Sequence, residues 1–288
     1  MLQSEVRARV ARLQFMTKRL VASSVTGDYC SAFKGAGLEF DQLREYQLGD
    51  DVRMIDWNSV AKTDRIMVKQ FIQERDRTVI ILLDTSSSML FSSHAPERTA
   101  IAQELATALG WIGHLSKDRI GFLAFSDVIE RWIPPARGAG HIHKIIEAIC
   151  SPYQKDKKTN FTVPLEFLMQ LKKRHAILFM LSDFIGLTGR DAQLLKILRY
   201  EYDFVAFRIL DALEKDFTLE GLFYLSDAET GEEHLIDGKE FSEAIHERIK
   251  DQDYFFRKHT IDHVTFLTGE SWFNQLTRFF HKRMRRLI

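Results

Sequence analysis

Thr78-Val79-Ile80-Ile81-Leu82-Leu83-Asp84-Thr85-Ser86-Ser87-Ser88-Met89 decides the fold. Five of the six residues before Asp84 are apolar, and the run is β-branched at its start. Such a run, bounded by polar residues, predicts a strand buried on both faces. It ends in an acid and a burst of hydroxyls. An apolar periodic stretch from Pro96 to Leu115 follows and predicts a helix. Strand, polar loop and helix in that order place the loop at the carboxyl edge of a parallel sheet. Open α/β folds bind ligands at that edge.

The loop carries three hard oxygen groups, Asp84, Ser86 and Ser88. Oxygen ligation suits a small hard cation better than zinc. Two other junctions offer the same chemistry. Thr159 and Thr162 precede an apolar helix-like run from Val163 to Leu171, and Ala176 to Leu181 is a second buried-strand pattern ending in Ser182-Asp183. Asp and Ser after a strand also serve as turn residues and helix N-caps. Capping accounts for Ser86 or Ser88 singly, but not for an acid and a hydroxyl at two further junctions.

The pattern resembles the metal-ion-dependent adhesion site of von Willebrand factor A-type domains. That resemblance implies a metal set of Asp84, Ser86, Ser88, Thr159 and Asp183, with Mg²⁺ or Mn²⁺ as the ion. Lys157 and Lys158 stand where the family usually has a Gly-rich turn, so Thr162 stays open as an alternative to Thr159. The resemblance also implies strand order 3-2-1-4-5-6, with Asp84 and Asp183 on adjacent central strands.

The chain has 288 residues, 45% of them hydrophobic and 22 of them Phe, ample for a sizeable core. Lys and Arg total 40, matching the 40 Asp and Glu, so the surface as a whole is not built for nucleic acid. No apolar run approaches the roughly 20 residues that span a bilayer. Two cysteines, Cys30 and Cys150, are too few for a disulfide framework and suggest a reducing, cytoplasmic compartment.

Residues 1–23 carry Leu2, Val6, Val10, Leu13, Met16 and Leu20 at helical spacing, with a basic opposite face. We favour a helix docked on the body over a membrane-surface helix or transit peptide. Residues 24–37 read as a Ser-, Gly- and Ala-rich loop. The domain organisation that follows is an N-terminal helix and loop over 1–36, a separate segment over 37–77, and the α/β domain over 78–288.

In the middle segment, Gly49-Asp50-Asp51 predicts a turn, and Arg44, Arg53, Asp51 and Asp56 offer ion pairs that would fix an irregular stretch. The run Leu43-Arg44-x-Tyr46-x-x-Gly49-Asp50-Asp51-x-Arg53-x-Ile55-Asp56-Trp57, set before Asp84-x-Ser86-x-Ser88-Met89, resembles the bacterial "domain of unknown function 58" family. The resemblance covers roughly residues 37–210. It implies a von Willebrand factor A-like domain, and a partnership with a MoxR-type AAA+ ATPase or a client of one.

Further along, Arg119 to Phe125 is a strand and Val128 to Ile133 an antiparallel edge strand. Pro134-Pro135 is expected to break the chain. A helix from His141 to Cys150 follows, and its His141-x-His143 pair is no metal site because residues two apart do not share a helix face. Helix Asp191 to Tyr200, strand Asp203 to Leu210, a hairpin from Glu220 to Ile236, helix Phe241 to His259, strand His263 to Leu267 and a helix from Trp272 complete the alternation. The fold class is α/β, a doubly wound, mostly parallel, Rossmann-like sheet with an N-terminal extension. Asp211 is read as a capping or solvated acid, and the basic tail His281 to Arg286 as a solvated helix end.

Two functional classes follow. One is a non-enzymatic protein-interaction module whose metal is completed by a partner's carboxylate. The other is a Mg²⁺-dependent, phosphatase-like hydrolase using Asp84. The second lacks the Asp-x-Asp of haloacid dehalogenase-like phosphatases, since position 86 is Ser. Neither a Gly-x-Ser-x-Gly elbow nor a phosphate-binding glycine loop is present.

Overall fold

The computed structural model describes residues 25–33, 38–47, 50–51, 54–57, 59, 65–73, 77–90, 97–153, 157–171, 176–215, 221–226 and 233–286. The expected N-terminal amphipathic helix, Pro96, Gly49, Arg53 and the hairpin turn near Gly231 lie outside these residues. The chain divides into two compact units. One holds the described residues up to Phe33 and from Arg77 onward; the other lies within Lys34–Asp76.

The smaller unit pairs β1 (Leu38–Glu45) antiparallel with β2 (Met67–Gln73), with a register shift between Phe40 and Gln42. Among its described residues Arg44 pairs with Asp50, and Arg65 with Glu45 at 2.8 Å. Both Arg44 guanidinium nitrogens reach the Asp50 carboxylate at 2.7 Å, and the Gln47 N–H donates to it at 2.8 Å. The planar fork of arginine matches a carboxylate at this distance, and the turn backbone adds a third donor.

The larger unit is built on a six-stranded sheet. Its strands are β3 (Thr78–Asp84), β4 (Arg119–Phe125), β5 (Ile129–Ala136), β6 (Ile177–Ser182), β7 (Asp203–Leu210) and, last in the chain, β10 (Asp262–Leu267). The order across the sheet is β10-β7-β6-β3-β4-β5. All neighbours are parallel except β5, which runs antiparallel to β4 at the edge. This is the order 3-2-1-4-5-6 read from the opposite end. The hairpin β8 (Leu222–Ser226) and β9 (Glu233–Asp237) forms its own two-stranded sheet.

Alternation along β3 explains why its run is uniformly apolar. Val79, Ile81 and Leu83 enter one core; Ile80 and Leu82 enter the other. The first core is covered by α1 (Val25–Ala32), α2 (Arg98–Leu115), α3 (Ala139–Cys150) and α8 (Trp272–Arg286). The second is covered by α4 (Thr162–Leu171), α5 (Gly189–Glu201) and α7 (Gly238–Lys258). A short helix α6 (Ala212–Lys215) follows β7. Each fully buried Leu, Ile or Phe contributes about 1.5–3 kcal/mol, so helices on both faces are what make a strand of this composition stable.

Three local expectations are corrected. Residues 25–32 are helical, not loop. Their Ser, Gly and Ala content gives little intrinsic preference, but Tyr29, Ala32 and Phe33 are buried, and Tyr29 and Phe33 pack edge-on against Phe280. Tertiary packing forms this helix. Pro134 and Pro135 do not break the chain, because β5 runs through them to Ala136. An edge strand tolerates the missing N–H. Gly121 of β4 makes room, since a Cβ there would sit 2.9 Å from Pro135 Cγ. Leu115, the end of the apolar stretch that predicts α2, is half exposed rather than buried.

Candidate metal centre

Because β3 and β6 are parallel neighbours, the chain leaves both at the same carboxyl edge. Asp84 and Asp183 therefore meet there, and both are fully buried. The loop after β3 folds straight into a 3₁₀ turn over Ser87–Leu90. It is held down by Thr85, whose N–H and hydroxyl donate to the Phe125 carbonyl at 2.8 and 2.9 Å.

A chain of oxygens crosses the edge. The Ser86 hydroxyl donates to Asp84 Oδ1 at 2.6 Å, and the Ser86 N–H donates to the same oxygen at 3.0 Å. Ser86 and Ser88 hydroxyls lie 3.0 Å apart, and the Ser88 side chain favours the charged form of Asp183. The other Asp84 oxygen accepts from Ser182 at 2.6 Å. Asp84, Ser86, Ser88 and Asp183 are thus brought together.

Thr159 lies between two anchors. Ser87 donates its N–H to the Lys157 carbonyl, and Asn160 donates its own to Ser126, both at 3.0 Å. The Lys157 ammonium pairs with Glu130 at 3.3 Å and Asp127 at 3.5 Å. A lysine, rather than a Gly-rich turn, fixes this loop against β5. Thr162 is engaged elsewhere: its hydroxyl donates to Asp191 at 2.5 Å. Asp191 also closes the capping box with Thr188 at the start of α5.

The electrostatics are those of crowded carboxylates. Burial pushes the Asp84 carboxyl up to about 7; the negative charge of Asp183 adds to this, and the hydroxyls of Ser182 and Ser86 oppose it. Burial also raises Asp183, against the nearby Arg98 guanidinium. Among the described residues no group of three His, Cys, Asp or Glu is placed to hold a metal ion. The oxygen set here is instead two carboxylates joined by hydroxyls. Ser87 carries a buried hydroxyl without a hydrogen-bond partner among the described residues, in the same loop. Two adjacent buried acids, with neutral hydroxyls between them, suit a hard divalent cation.

The sequence reading missed four residues. Ser182 binds Asp84. Arg98, the first residue of α2 and itself buried, reaches Asp183 at 3.2 Å and Glu214 at 2.5 Å. Glu214 also accepts from Arg248 at 3.0 Å. Gln252 of α7 donates to the Phe184 carbonyl at 2.8 Å. Phe184 follows Asp183 with a φ of 57°, a left-handed conformation that costs a residue with a Cβ about 1–2 kcal/mol. Its buried ring, stacked on Phe161, and the Gln252 bond hold it there. Asp211 has the capping role expected of it, accepting from the Leu213 N–H at 2.9 Å, but it is buried. A groove of about 590 Å³ opens beside the site, lined by Phe184, Leu187, Ala192, Ala244 and Phe255 among others.

The strand order and the helices on both faces define a doubly wound, mostly parallel α/β domain. A family model described as "Protein of unknown function DUF58" matches residues 42–254, and the chain belongs to that family. Uncharacterized proteins of Mycobacterium tuberculosis and Mycobacterium bovis are 26% identical over 226 residues, covering 78% of this chain and 71% of theirs. Distant structural likenesses include the conserved hypothetical protein BatB from Bacteroides thetaiotaomicron (13% identity, 73% of this chain, 99% of that chain, TM-score 0.45). The VWA domain of SpRpn10 is another (11% identity, 72% of this chain, 94% of that chain, TM-score 0.40). Among the described residues no helix is long and apolar enough to cross a membrane.

Proposed function

We propose that the chain is a cytoplasmic, non-enzymatic protein-interaction module that binds its partner through a hard divalent cation, Mg²⁺ or Mn²⁺. Asp84, Ser86, Ser88, Thr159 and Asp183 would hold the ion. The ion would supply a positive centre that takes a carboxylate from the partner. The observation that carries this reading is the oxygen chain from Asp84 through Ser86 and Ser88 to Asp183. It lines up two buried acids at the carboxyl edge, where an α/β sheet presents its ligands. Ser182 orients Asp84, and Lys157 pins the loop that carries Thr159. A MoxR-type AAA+ ATPase, or a client of one, is the partner we propose. An Asp or Glu of that partner would complete the shell, and its flanking apolar residues would meet the groove beside Phe184.

The test is a calorimetric titration of Mg²⁺ and Mn²⁺ into the wild type and Asp84→Ala, with thermal melts of both. A purified MoxR-type ATPase is then added with Mg²⁺ or with EDTA. Saturable ion binding and ion-dependent complex formation are expected in the wild type, and neither in the folded variant. Full partner binding by folded Asp84→Ala would sink the proposal.

A further inference from the structure

Arg98 stands out from every other buried group at the edge. It is a cation inside a site proposed to take a cation. Its side chain is 2% exposed, it reaches Asp183 through one nitrogen and Glu214 through the other, and Glu214 reaches on to Arg248. Three buried carboxylates, Asp84, Asp183 and Glu214, therefore face one buried guanidinium and one half-exposed one. Pairing is complete for Asp183 and Glu214. Asp84 is left with neutral donors, the Ser86 and Ser182 hydroxyls and the Ser86 N–H.

We propose that Arg98 is a built-in counter-ion that sets the cation affinity of the site: it neutralises Asp183, so the site offers an entering ion the uncompensated charge of Asp84 alone. This rests on the metal-dependent reading above and goes beyond it. A divalent ion held by one net negative charge keeps excess positive charge, which is what would draw a carboxylate from a partner. Glu214 acts in the opposite sense. It draws on the guanidinium from the far side and so moderates what Asp183 feels. Arg98 and Glu214 are positioning residues in this scheme; neither is a ligand.

The two roles predict opposite signs, which a merely structural role would not. The experiment is a Mn²⁺ titration at pH 8, followed by calorimetry and by the electron paramagnetic resonance signal of free Mn²⁺. The proteins are the full-length wild type, Arg98→Met, Arg98→Lys and Glu214→Gln, each with a thermal melt, and Asp84→Ala as the site control. Removing a unit charge several ångströms from a divalent ion is expected to tighten Mn²⁺ binding in Arg98→Met by at least about tenfold. Arg98→Lys should stay near the wild type. Glu214→Gln should weaken binding by about threefold or more, because Arg98 then bears on Asp183 undiluted.

Weaker or unchanged binding in folded Arg98→Met overturns the proposal while leaving the metal site standing, as long as the wild type binds and Asp84→Ala does not. Weakening in both Arg98→Met and Glu214→Gln also overturns it, as the mark of simple loosening. Should Arg98→Met fail to fold, the Glu214→Gln arm decides by itself: unchanged or tighter binding there overturns the proposal. Absence of Mn²⁺ binding in the wild type and in every variant removes the site reading and this inference together.

Discussion

The two ends of the sheet use buried charge in opposite ways. At the amino edge each of three acids is paired with an arginine. Asp118, just before β4, accepts from Arg77 at 3.0 Å and from the Tyr29 hydroxyl at 2.9 Å, and Arg77 also donates to the Phe33 carbonyl at 2.9 Å. Asp203 and Asp262, which open β7 and β10, share Arg283, whose guanidinium lies 4.2 Å from the centre of the Phe33 ring. These contacts tie α1 and α8 to the strands. At the carboxyl edge Arg98 and Arg248 pair Asp183 and Glu214, while Asp84 accepts from the neutral groups of Ser86 and Ser182. One end is closed electrostatically, and the other is left wanting positive charge. Charge that is fully paired holds helices in place. Charge that is short of a partner is what the proposed ion would complete.

Removing one acid from each end is the most direct way to break this contrast. Asp118→Ala leaves the Arg77 guanidinium, only 14% exposed, without its carboxylate. Removing one partner of a buried pair costs about 3 kcal/mol or more, so a clear fall in the urea midpoint is expected, with no effect on Mn²⁺ binding. An unchanged midpoint would show that the amino-edge pair is not structural. Arg283→Ala should come next. It strips donors from two half-exposed acids and from the Ala32 carbonyl, for a loss of about 1–3 kcal/mol in the same denaturation experiment.

Asp84→Ala should differ from both. It unpairs the Ser182 and Ser86 hydroxyls but removes a like charge from beside Asp183, and the two effects oppose each other. The expected stability change without metal is about 1 kcal/mol or less. Ion binding should nevertheless be lost. A fall as large as that of Asp118→Ala would mean the carboxyl edge is as much a structural clasp as the amino edge.

How much of this was legible in the sequence follows from where each signal resides. The acids at the carboxyl edge were readable because each ends an apolar run, and β-strand alternation needs both faces buried for such a run to persist. Strand order came from the family resemblance and agrees with the observed pairing. Ser182 could have been found, since it sits one residue before Asp183 on the same strand end. Arg98 could not. It lies 85 residues from Asp183 and 116 from Glu214, and at the start of a helix it looks like any solvated arginine. Helix α1 was hidden for a related reason: its composition says loop, and only burial of Tyr29 against Phe280 says helix. Pro134-Pro135 misled because proline's cost depends on whether the strand is an edge, which is a property of the sheet and not of the dipeptide.

The smallest expected effect comes from the Arg44–Asp50 pair of the other unit, a partly exposed reference for both ends. The Arg44 guanidinium, helped by the Gln47 N–H, pulls the Asp50 carboxyl from its ordinary 3.8 down to about 2. A carboxylate whose folded-state value is depressed adds stability above its ordinary value, and that stability is lost as the pH falls through the folded value. The window for this pair therefore runs from about pH 4 down to about pH 2. At neutral pH, water and salt screen such a pair, so Arg44→Ala should scarcely move the urea midpoint. The pair should be visible in titration instead. By nuclear magnetic resonance the Asp50 side-chain carbon should titrate near 2 in the wild type and move back toward its ordinary value in Arg44→Ala. A wild-type midpoint at the ordinary value would show that the fork is not held in solution. The contrast between the two sheet ends would then rest on the buried pairs alone, where exclusion of water makes the missing counter-charge matter.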